Sequence, residues 1–276
     1  MRVLKRFYRD GVPGPAHLLF EGAFAAVLGI LFAAGLFPRE ASLFSVFLVS
    51  LSAHDSMERI LNWNRWAIVK RGRPPAEANL RLILLLASIF TGTTIGWSAM
   101  GLTLAPNQVR ALFSHQVSVQ RVLFPDIYFG DFASIFQHNL FVMLFFFIIA
   151  LPFRRGGVML AIAWNASVWG ATFGVMAREW ASAEGLRLIS TWPRVMAAVV
   201  PHMTLEATAY VLAGLAGVFW SRGIERHDLT SESLGNVTKV VTVMMVIGAV
   251  LVALGAAVEA HIAPVLVALV SGGSGG

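Results

Sequence analysis

The sequence predicts an all-α, polytopic membrane protein, that is, a bundle of transmembrane helices. Hydrophobic residues make up 57% of its 276 positions and charged residues only 13%, with a mean hydropathy of +0.72. These values lie outside the usual range of soluble domains. In addition, uncharged stretches recur along the chain at about 20 residues, the length that an α-helix needs to cross a bilayer.

Seven stretches are candidates for crossing the membrane. Two near the N-terminus are short and are joined by the turn FPRE, which predicts a helical hairpin, and Glu206 is the only charge within any of the seven. We expect seven spans, with six as the alternative because the second stretch is barely long enough. The stretches are 22–37, 41–53, 82–109, 132–153, 156–177, 195–221 and 240–258.

The placement of Lys and Arg predicts the orientation, because short cytoplasmic loops carry the positive excess. With seven spans and a cytoplasmic N-terminus, most of the 21 basic residues fall inside. The outer ones are Arg39, Arg110, Arg121, Arg178, Arg187 and Arg194. We therefore expect the N-terminus inside and the C-terminus outside. Basic loops facing an anionic leaflet explain the net charge of +6, so no nucleic-acid partner is expected.

Several classes of chemistry have no support in the sequence. The chain contains no cysteine, which excludes disulfides, thiolate nucleophiles and cysteine-based metal sites. It has no GxSxG elbow and no Walker A loop, so we expect no enzymatic activity. No cleavable signal peptide is evident, and the first helix is expected to stay as an anchor. The final SGGSGG has the composition of an engineered linker.

Three segments outside the spans are candidates for interfacial helices or docking surfaces. In 103–131, Val109, Leu112, Phe113 and Val117 recur at helical spacing, and 178–194 carries Trp180 and Trp192. On the inner side, 54–81 contains an apolar helical face formed by Ile60, Trp63, Trp66 and Ala67. Each surface either binds a partner or packs on its own bundle and the membrane surface, and the sequence leaves both open.

His202 and Glu206 are the most conspicuous polar pair inside an apolar stretch. They lie four residues apart in PHMTLEATAY, so both side chains lie on one helical face. Pro201 suits the first turn of a helix, which places Glu206 below the outer interface. A Glu at that depth is protonated, paired with His or hydrogen-bonded by another helix.

Three interpretations of this pair stay open. The first, which we favour, is hydrogen bonding between helices. The second is a proton relay or transport site that uses an ionisable Glu. The third is a metal site, but such a site needs about three protein ligands, and the sequence offers only His202, Glu206 and His138 without an HExxH motif. We therefore expect no metal and no other cofactor.

Two asparagines in neighbouring spans are candidates to bind this pair. Asn139 follows His138 at the outer end of the fourth span, and Asn165 lies near mid-bilayer in the fifth, where it is expected to meet Glu206. We predict one intramembrane polar cluster of His138, Asn139, Asn165, His202 and Glu206. Glycines that allow close approach of helices are Gly92, Gly96, Gly170, Gly174, Gly214 and Gly217.

The order of these motifs resembles the stage II sporulation protein M family of bacterial membrane proteins. The resemblance covers residues 118–262, and PHxxxE is its most specific element. The residues that carry it are Phe132, Ile135, Phe136, His138, Asn139, Gly156, Gly157, Asn165, Gly170, Pro201, His202, Glu206, Gly214 and Gly217.

The chain also departs from the family pattern. His138 stands where the family has a second asparagine, Ala166 and Met203 stand where it has glycine, and the hairpin over 18–53 is not part of it. The resemblance thus implies a distant member outside sporulation. It also implies three regions: 1–117 with the hairpin, the basic segment and the third span, 118–262 as the four-span domain that resembles the family, and the tail 263–276.

The resemblance implies a role in the bacterial cytoplasmic membrane. The member that names the family is similar in role to a scaffold for peptidoglycan-degrading partners, and other members are encoded beside MoxR-type ATPases. Our first hypothesis is a multi-pass scaffold of a cell-envelope complex without catalysis of its own, binding cell-wall enzymes or a MoxR-type ATPase; the glycine faces allow a homodimer. The alternative is a transporter or permease subunit, and a weaker one is a metal-dependent intramembrane hydrolase using His202 and Glu206.

Overall fold

The computed structural model describes residues 8–9, 11–116, 131–183, 185–228 and 230–270, most of them helical. One short antiparallel pair, β1 (Tyr8–Arg9) and β2 (Val12–Pro13), precedes the first helix. The helices are α1 (Pro15–Leu36), α2 (Ala41–Ser52), α3 (His54–Val69), α4 (Pro75–Thr103), α5 (Pro106–Leu112), α6 (Phe132–Phe153), α7 (Arg155–Ala183), α8 (Leu188–Arg226), α9 (Glu232–Ala257) and α10 (Ala263–Val270). A π-helical turn, Val258–Ile262, joins α9 to α10.

Six helices within the described ranges are long and apolar enough to cross a membrane. They are α1, α4, α6, α7, α8 and the continuous rod of α9, the π-helical turn and the start of α10. The second predicted span is the 12-residue helix α2. At 1.5 Å per residue α2 is about 18 Å long, whereas the hydrocarbon core is about 30 Å thick. The α2 helix alone is therefore too short to span, and the six helices of spanning length agree with the alternative count of six. The return passage along α1 is made by α2 and α3 together.

The chain divides into two compact units. The first contains Met1–Ser118 and Ile162–Gly174, and the second contains Val119–Ala161 and Val175–Gly276. The middle of α7 therefore belongs to the first unit, although the sequence places it in the region 118–262. The predicted outer segment 103–131 extends into 117–130, which lies outside the described residues, as does the SGGSGG tail.

In the first unit α1 and α4 run parallel with their backbones in contact. A Cβ atom built on Gly92 would lie 2.0 Å from the carbonyl oxygen of Leu19, and one on Gly96 would lie 2.6 Å from that of Ala23. Residue numbers rise together along the two helices, which makes them parallel. Because only glycine leaves room for such an approach, these two positions determine how α1 and α4 pack.

Parallel neighbours require the chain to return between them, and α2 and α3 provide the return. A Cβ on Gly29 of α1 would lie 3.0 Å from Val49 Cγ2 of α2. Further along, Ser56 Oγ of α3 donates to Glu21 Oε2 of α1 at 2.7 Å. The two short helices thus run one after the other, antiparallel to α1. The N-terminal end of α1 and the region leading into α4 consequently lie at the same end of this unit.

The predicted apolar face of α3 packs within its own unit. Ile60, Trp63 and Ala67 are buried. The Arg81 guanidinium of α4 lies 4.2 Å from the Trp63 ring centroid, and Asn64 donates to Asn79 at 3.1 Å. Packing therefore occupies most of the face that the sequence left open for a cytoplasmic partner.

In the second unit α6 and α8 run parallel, and α9 runs antiparallel to α8. A Cβ on Gly217 of α8 would lie 2.5 Å from the carbonyl oxygen of Phe147 in α6, and one on Gly223 would lie 2.9 Å from Val237 Cγ1 of α9. At the same end, Arg154 pairs with Glu225 at 2.9 Å between Nη2 and Oε2.

At the opposite end of this unit Asp131 caps α6. Its Oδ1 accepts from the amides of Ala133 and Ser134 at 3.0 and 3.2 Å, and its Oδ2 accepts from the Ser134 hydroxyl at 2.6 Å. These bonds, the hydroxyl bond first, lower the pKa of the exposed Asp131 carboxyl. The charged cap marks a defined start for α6 in polar surroundings.

We expect Gly92→Ala to destabilise the first unit, because the added methyl group would meet the backbone of α1 rather than a flexible side chain. Overpacking of this kind costs about 1–3 kcal/mol. Gly35→Ala is the matched control, since Gly35 lies in α1 with nothing within 4 Å of an added Cβ. Thermal unfolding in mild detergent measures both. Equal melting temperatures for the two variants would contradict the backbone contact between α1 and α4.

Candidate functional site

Three side chains in the second unit form a buried hydrogen-bonded chain between α6 and α8. Asn139 Nδ2 of α6 donates to Glu206 Oε1 of α8 at 2.7 Å. The Tyr210 hydroxyl, one helical turn along α8, donates to Asn139 Oδ1 at 2.9 Å. All three side chains are buried. The amide of Asn139 is thereby held at both of its ends, and Glu206 receives a donor.

The last rod of the chain brings a second carboxyl group to Glu206. Glu259 lies in the π-helical turn, and its carboxyl group is within hydrogen-bonding reach of that of Glu206. Gly255, one turn earlier, leaves the space for this approach: a Cβ there would lie 3.0 Å from Glu206 Cγ and 3.4 Å from its Oε1. We call Asn139, Glu206, Tyr210 and Glu259 the carboxyl cluster.

His202 lies one turn before Glu206 on α8 and is 5% exposed. Its Nδ1 has no hydrogen-bond partner within the part of the chain that the structure describes. Since α9 runs antiparallel to α8 and Gly255 lies beside Glu206, Glu259 is one turn further toward the level of His202. A buried imidazole nitrogen thus lies near the two carboxyl groups.

The carboxyl cluster lies near the start of α6. Asn139 is seven residues after Phe132, the first residue of α6, which is roughly 10 Å along the helix axis. If the start of α6 is taken as the edge of a hydrocarbon core of about 30 Å, the cluster lies about a third of the way into it. A polar group at that depth is costly unless it has partners, and here each member has at least one.

The five predicted cluster residues do not all fall in one unit. Asn139 and Glu206 are joined directly, His202 is buried one turn away, and the half-buried His138 precedes Asn139 on α6. Asn165 is buried in the middle of α7, in the part that belongs to the first unit. The contact of Asn165 with Glu206 stays a prediction, whereas Asn139 of the predicted cluster donates to Glu206 Oε1.

The glycines singled out from the sequence lie at helix contacts. Gly92 and Gly96 contact α1. A Cβ on Gly170 would lie 2.7 Å from the carbonyl oxygen of Thr94, and one on Gly174 would lie 2.7 Å from that of Ser98, both in α4. Gly214 faces Val158 Cγ2 of α7 at 3.1 Å, and Gly217 faces α6. These faces are occupied within the chain, so a homodimer would need a different surface.

A second polar network ties the outer segment to the first unit. Gln116 is fully buried, and its Nε2 donates to Ser42 O at 3.1 Å and Ser167 Oγ at 3.4 Å. The Ser42 hydroxyl donates back to Gln116 Oε1. Val109 and Phe113 are also buried. The described part of the outer segment is thus packed rather than free.

Acidic and histidine side chains are also the ones that bind metal ions. No three side chains of His, Asp or Glu in the described ranges are grouped so that they would hold a metal ion, and a protein metal site uses about three such ligands. The carboxyl cluster instead presents two acids with amide and hydroxyl donors, which is a hydrogen-bonding arrangement.

A model of the family described as Stage II sporulation protein M matches residues 82–264. The chain belongs to this family. The match extends from α4 to the start of α10, so it begins earlier than the motifs recognised in the sequence and includes the whole carboxyl cluster. No curated protein and no solved structure matches the chain. Membership of this stage II sporulation protein M family shows an integral membrane protein.

Two residues of the carboxyl cluster, Tyr210 and Glu259, are not among the cluster residues predicted from the sequence. Tyr210 follows Glu206 by four residues, as Glu206 follows His202, so all three side chains lie on one helical face. Glu259 directly follows the stretch 240–258, which ends because of it. Both signals are present in the sequence, but the pairing of Glu259 with Glu206 depends on the register of α9 against α8.

We expect Gly255→Ala to destabilise the second unit by about 1 kcal/mol or more, because the added methyl group would press on the Glu206 side chain. Gly235→Ala is the control in the same helix, with nothing within 4 Å of the added Cβ. Unfolding curves of both variants in lipid nanodiscs provide the measurement. A Gly255→Ala protein as stable as the control would show that α9 does not pack on Glu206.

Proposed function

We propose that this protein is a multi-pass scaffold subunit of a cell-envelope complex in the bacterial cytoplasmic membrane, without catalysis of its own. The observation that carries the proposal is a helical projection of the second unit. It is formed by the end of α7, the start of α8 and α10, and we call it the outer projection. The resemblance to scaffolds that act with cell-wall enzymes supports the same role.

The dimensions of the outer projection follow from the register of α6 and α8. Asn139 and Glu206 are hydrogen-bonded and the two helices are parallel. Leu188 begins α8 eighteen residues before Glu206, at most about 27 Å away because Pro193 and Pro201 lie inside this stretch, whereas Phe132 begins α6 only about 10 Å from Asn139. The start of α8 therefore extends beyond the start of α6 by up to about 17 Å. A segment that extends this far beyond a spanning helix is accessible to partners.

The tip of the outer projection exposes large apolar side chains next to a basic one. Ile189 is 84% exposed and Leu188 is 40% exposed, and Arg187 directly precedes them. Beyond the hydrocarbon core such side chains face water, where exposed apolar groups commonly mark a protein interaction site. We propose that the tip binds an extracytoplasmic partner, a cell-wall enzyme.

In each unit, taken by itself, the basic end is proposed to face the cytoplasm. In the first unit the entry to α1 lies at the same end as the basic segment 70–81. In the second unit Arg154 and Arg226 lie at the end opposite the outer projection. Positive residues at one end indicate the cytoplasmic side. The N-terminus is then inside, the C-terminus is outside, and a MoxR-type ATPase is the partner class at the inner face.

Single cysteines test this orientation, since the chain has none of its own. We expect an impermeant maleimide to label Glu40→Cys and Arg187→Cys from outside intact cells, and Glu77→Cys and Asp228→Cys only after the membrane is opened. All four positions are exposed. The cysteine-free parent is the control. Labelling of Glu40→Cys and Glu77→Cys from the same side would contradict the return through α2 and α3.

Affinity purification in mild detergent with quantitative mass spectrometry tests the scaffold. We expect Ile189→Ser to remove a co-purifying cell-wall enzyme, because it removes the exposed apolar tip. Ile224→Ser is the control, since Ile224 is exposed at the other end of the same helix. Glu206→Gln reports whether the carboxyl cluster is needed for assembly.

Loss of the enzyme in both isoleucine variants, or in neither, would contradict the outer projection as its docking site. A protein that purifies alone and well folded from the parent strain would contradict scaffolding itself. Flux assays in liposomes then become the test of the alternative, a transporter or permease subunit.

A further inference from the structure

The two carboxyl groups of the carboxyl cluster require a proton between them. Glu206 is buried, and Glu259 lies within hydrogen-bonding reach of it. Two ionised carboxylates have only acceptor oxygens and cannot hydrogen-bond each other. Two negative charges side by side in an apolar surrounding would also repel strongly. At least one of the two groups therefore carries a proton in this arrangement.

The hydrogen bonds of Asn139 fix one side of the Glu206 carboxyl group. Tyr210 donates to Asn139 Oδ1, which leaves the Asn139 amide hydrogens for Glu206 Oε1. Glu206 Oε1 is thus an acceptor toward Asn139, and a proton on either carboxyl group completes the contact between Glu206 and Glu259.

Glu259 also has a route to its surroundings that Glu206 lacks. It is half-buried, whereas Glu206 is 3% exposed. It lies in the π-helical turn Val258–Ile262, a deviation that is rare in helices and often occurs at functional sites. The cluster lies roughly 10 Å from Phe132 at the start of α6, which is close enough for exchange with water near the interface.

We propose that Glu206 and Glu259 form a proton-binding site, in which one exchangeable proton is held between the two carboxyl groups with Glu259 as the entry. His202, buried one turn away with an unpartnered Nδ1, is the nearest additional proton acceptor. A metal cation is disfavoured at the same place because the Asn139 amide nitrogen, a donor, faces the Glu206 carboxylate.

The titratable groups around the site come from all three elements packed there. On α8 they are His202 and Tyr210, on the last rod Glu259 and the exposed His261, and on α6 the half-buried His138. Glu206 and Glu259 are the acids of this set. The site does not depend on the scaffold proposal, because a proton can bind whether or not a partner docks at the outer projection.

Dicyclohexylcarbodiimide provides a direct test on the full chain in nanodiscs. This apolar reagent reacts with protonated carboxyl groups in apolar surroundings: the acid adds across one C=N bond and the acyl group then moves from oxygen to nitrogen. The peptide gains the mass of one reagent and nothing leaves. We expect the label on one of the two carboxyl groups, Glu259 or Glu206, falling about tenfold for each pH unit above the point at which the pair ionises.

Two variants and a control identify the proton. Glu259→Gln and Glu206→Gln each remove one carboxyl group of the pair while keeping the side-chain shape. Infrared difference spectra between acid and alkaline buffer are expected to show one protonated-carboxyl band in the parent that is shifted or lost in each of the two variants. Glu232→Gln, an exposed acid in the same rod, leaves the band unchanged.

Labelling of Glu259 or Glu206 together with the infrared band establishes the site even if Glu206→Gln fails to fold, because both are seen in the parent protein. The proposal is overturned if folded parent protein shows no label at Glu259 or Glu206 between acid and neutral pH. It is equally overturned if the band is unchanged in both folded variants. Neither result bears on whether a cell-wall enzyme is bound.

Discussion

Direct contact between helix backbones is the constraint on which the rest of this structure depends. In a bilayer there is no hydrophobic force to bring apolar helices together, so close packing has to stabilise their association. Glycine at Gly92 and Gly96 brings α4 against α1, and Gly217 brings α8 against α6. These contacts place parallel helices side by side and thereby determine the chain paths between them.

The return path in the first unit follows from that constraint. Because α1 and α4 are parallel neighbours, the intervening chain has to travel back along the bundle, although no single helix there is long enough. The α2 and α3 helices share the distance, and the Ser56–Glu21 bond fixes α3 against α1. The α3 helix is amphipathic and packs its apolar side on α4, which accounts for the buried Trp63 in an otherwise basic segment.

In the second unit the same close packing permits a polar cluster at membrane depth. Gly255 lets the last rod approach Glu206, and the π-helical turn presents Glu259 to it. Asn139 and Tyr210 supply the donors that make a buried carboxylate tolerable. The cluster therefore joins three elements of one unit and concentrates its ionisable chemistry at one level, while the outer projection lies at another. The proposed docking surface and the proposed proton-binding site thus involve separate parts of this unit.

The sequence by itself determined the class of the protein, its apolar stretches, its family and the pairing of an amide with Glu206. These follow from hydropathy and from the four-residue spacing of His202 and Glu206, both of which are local properties. Only the tertiary structure decided that α2 and α3 share one return path, that Asn139 donates to Glu206, and that Glu259 is a second partner of Glu206. Those facts depend on the register between helices, which is set by glycine contacts between residues far apart in the chain.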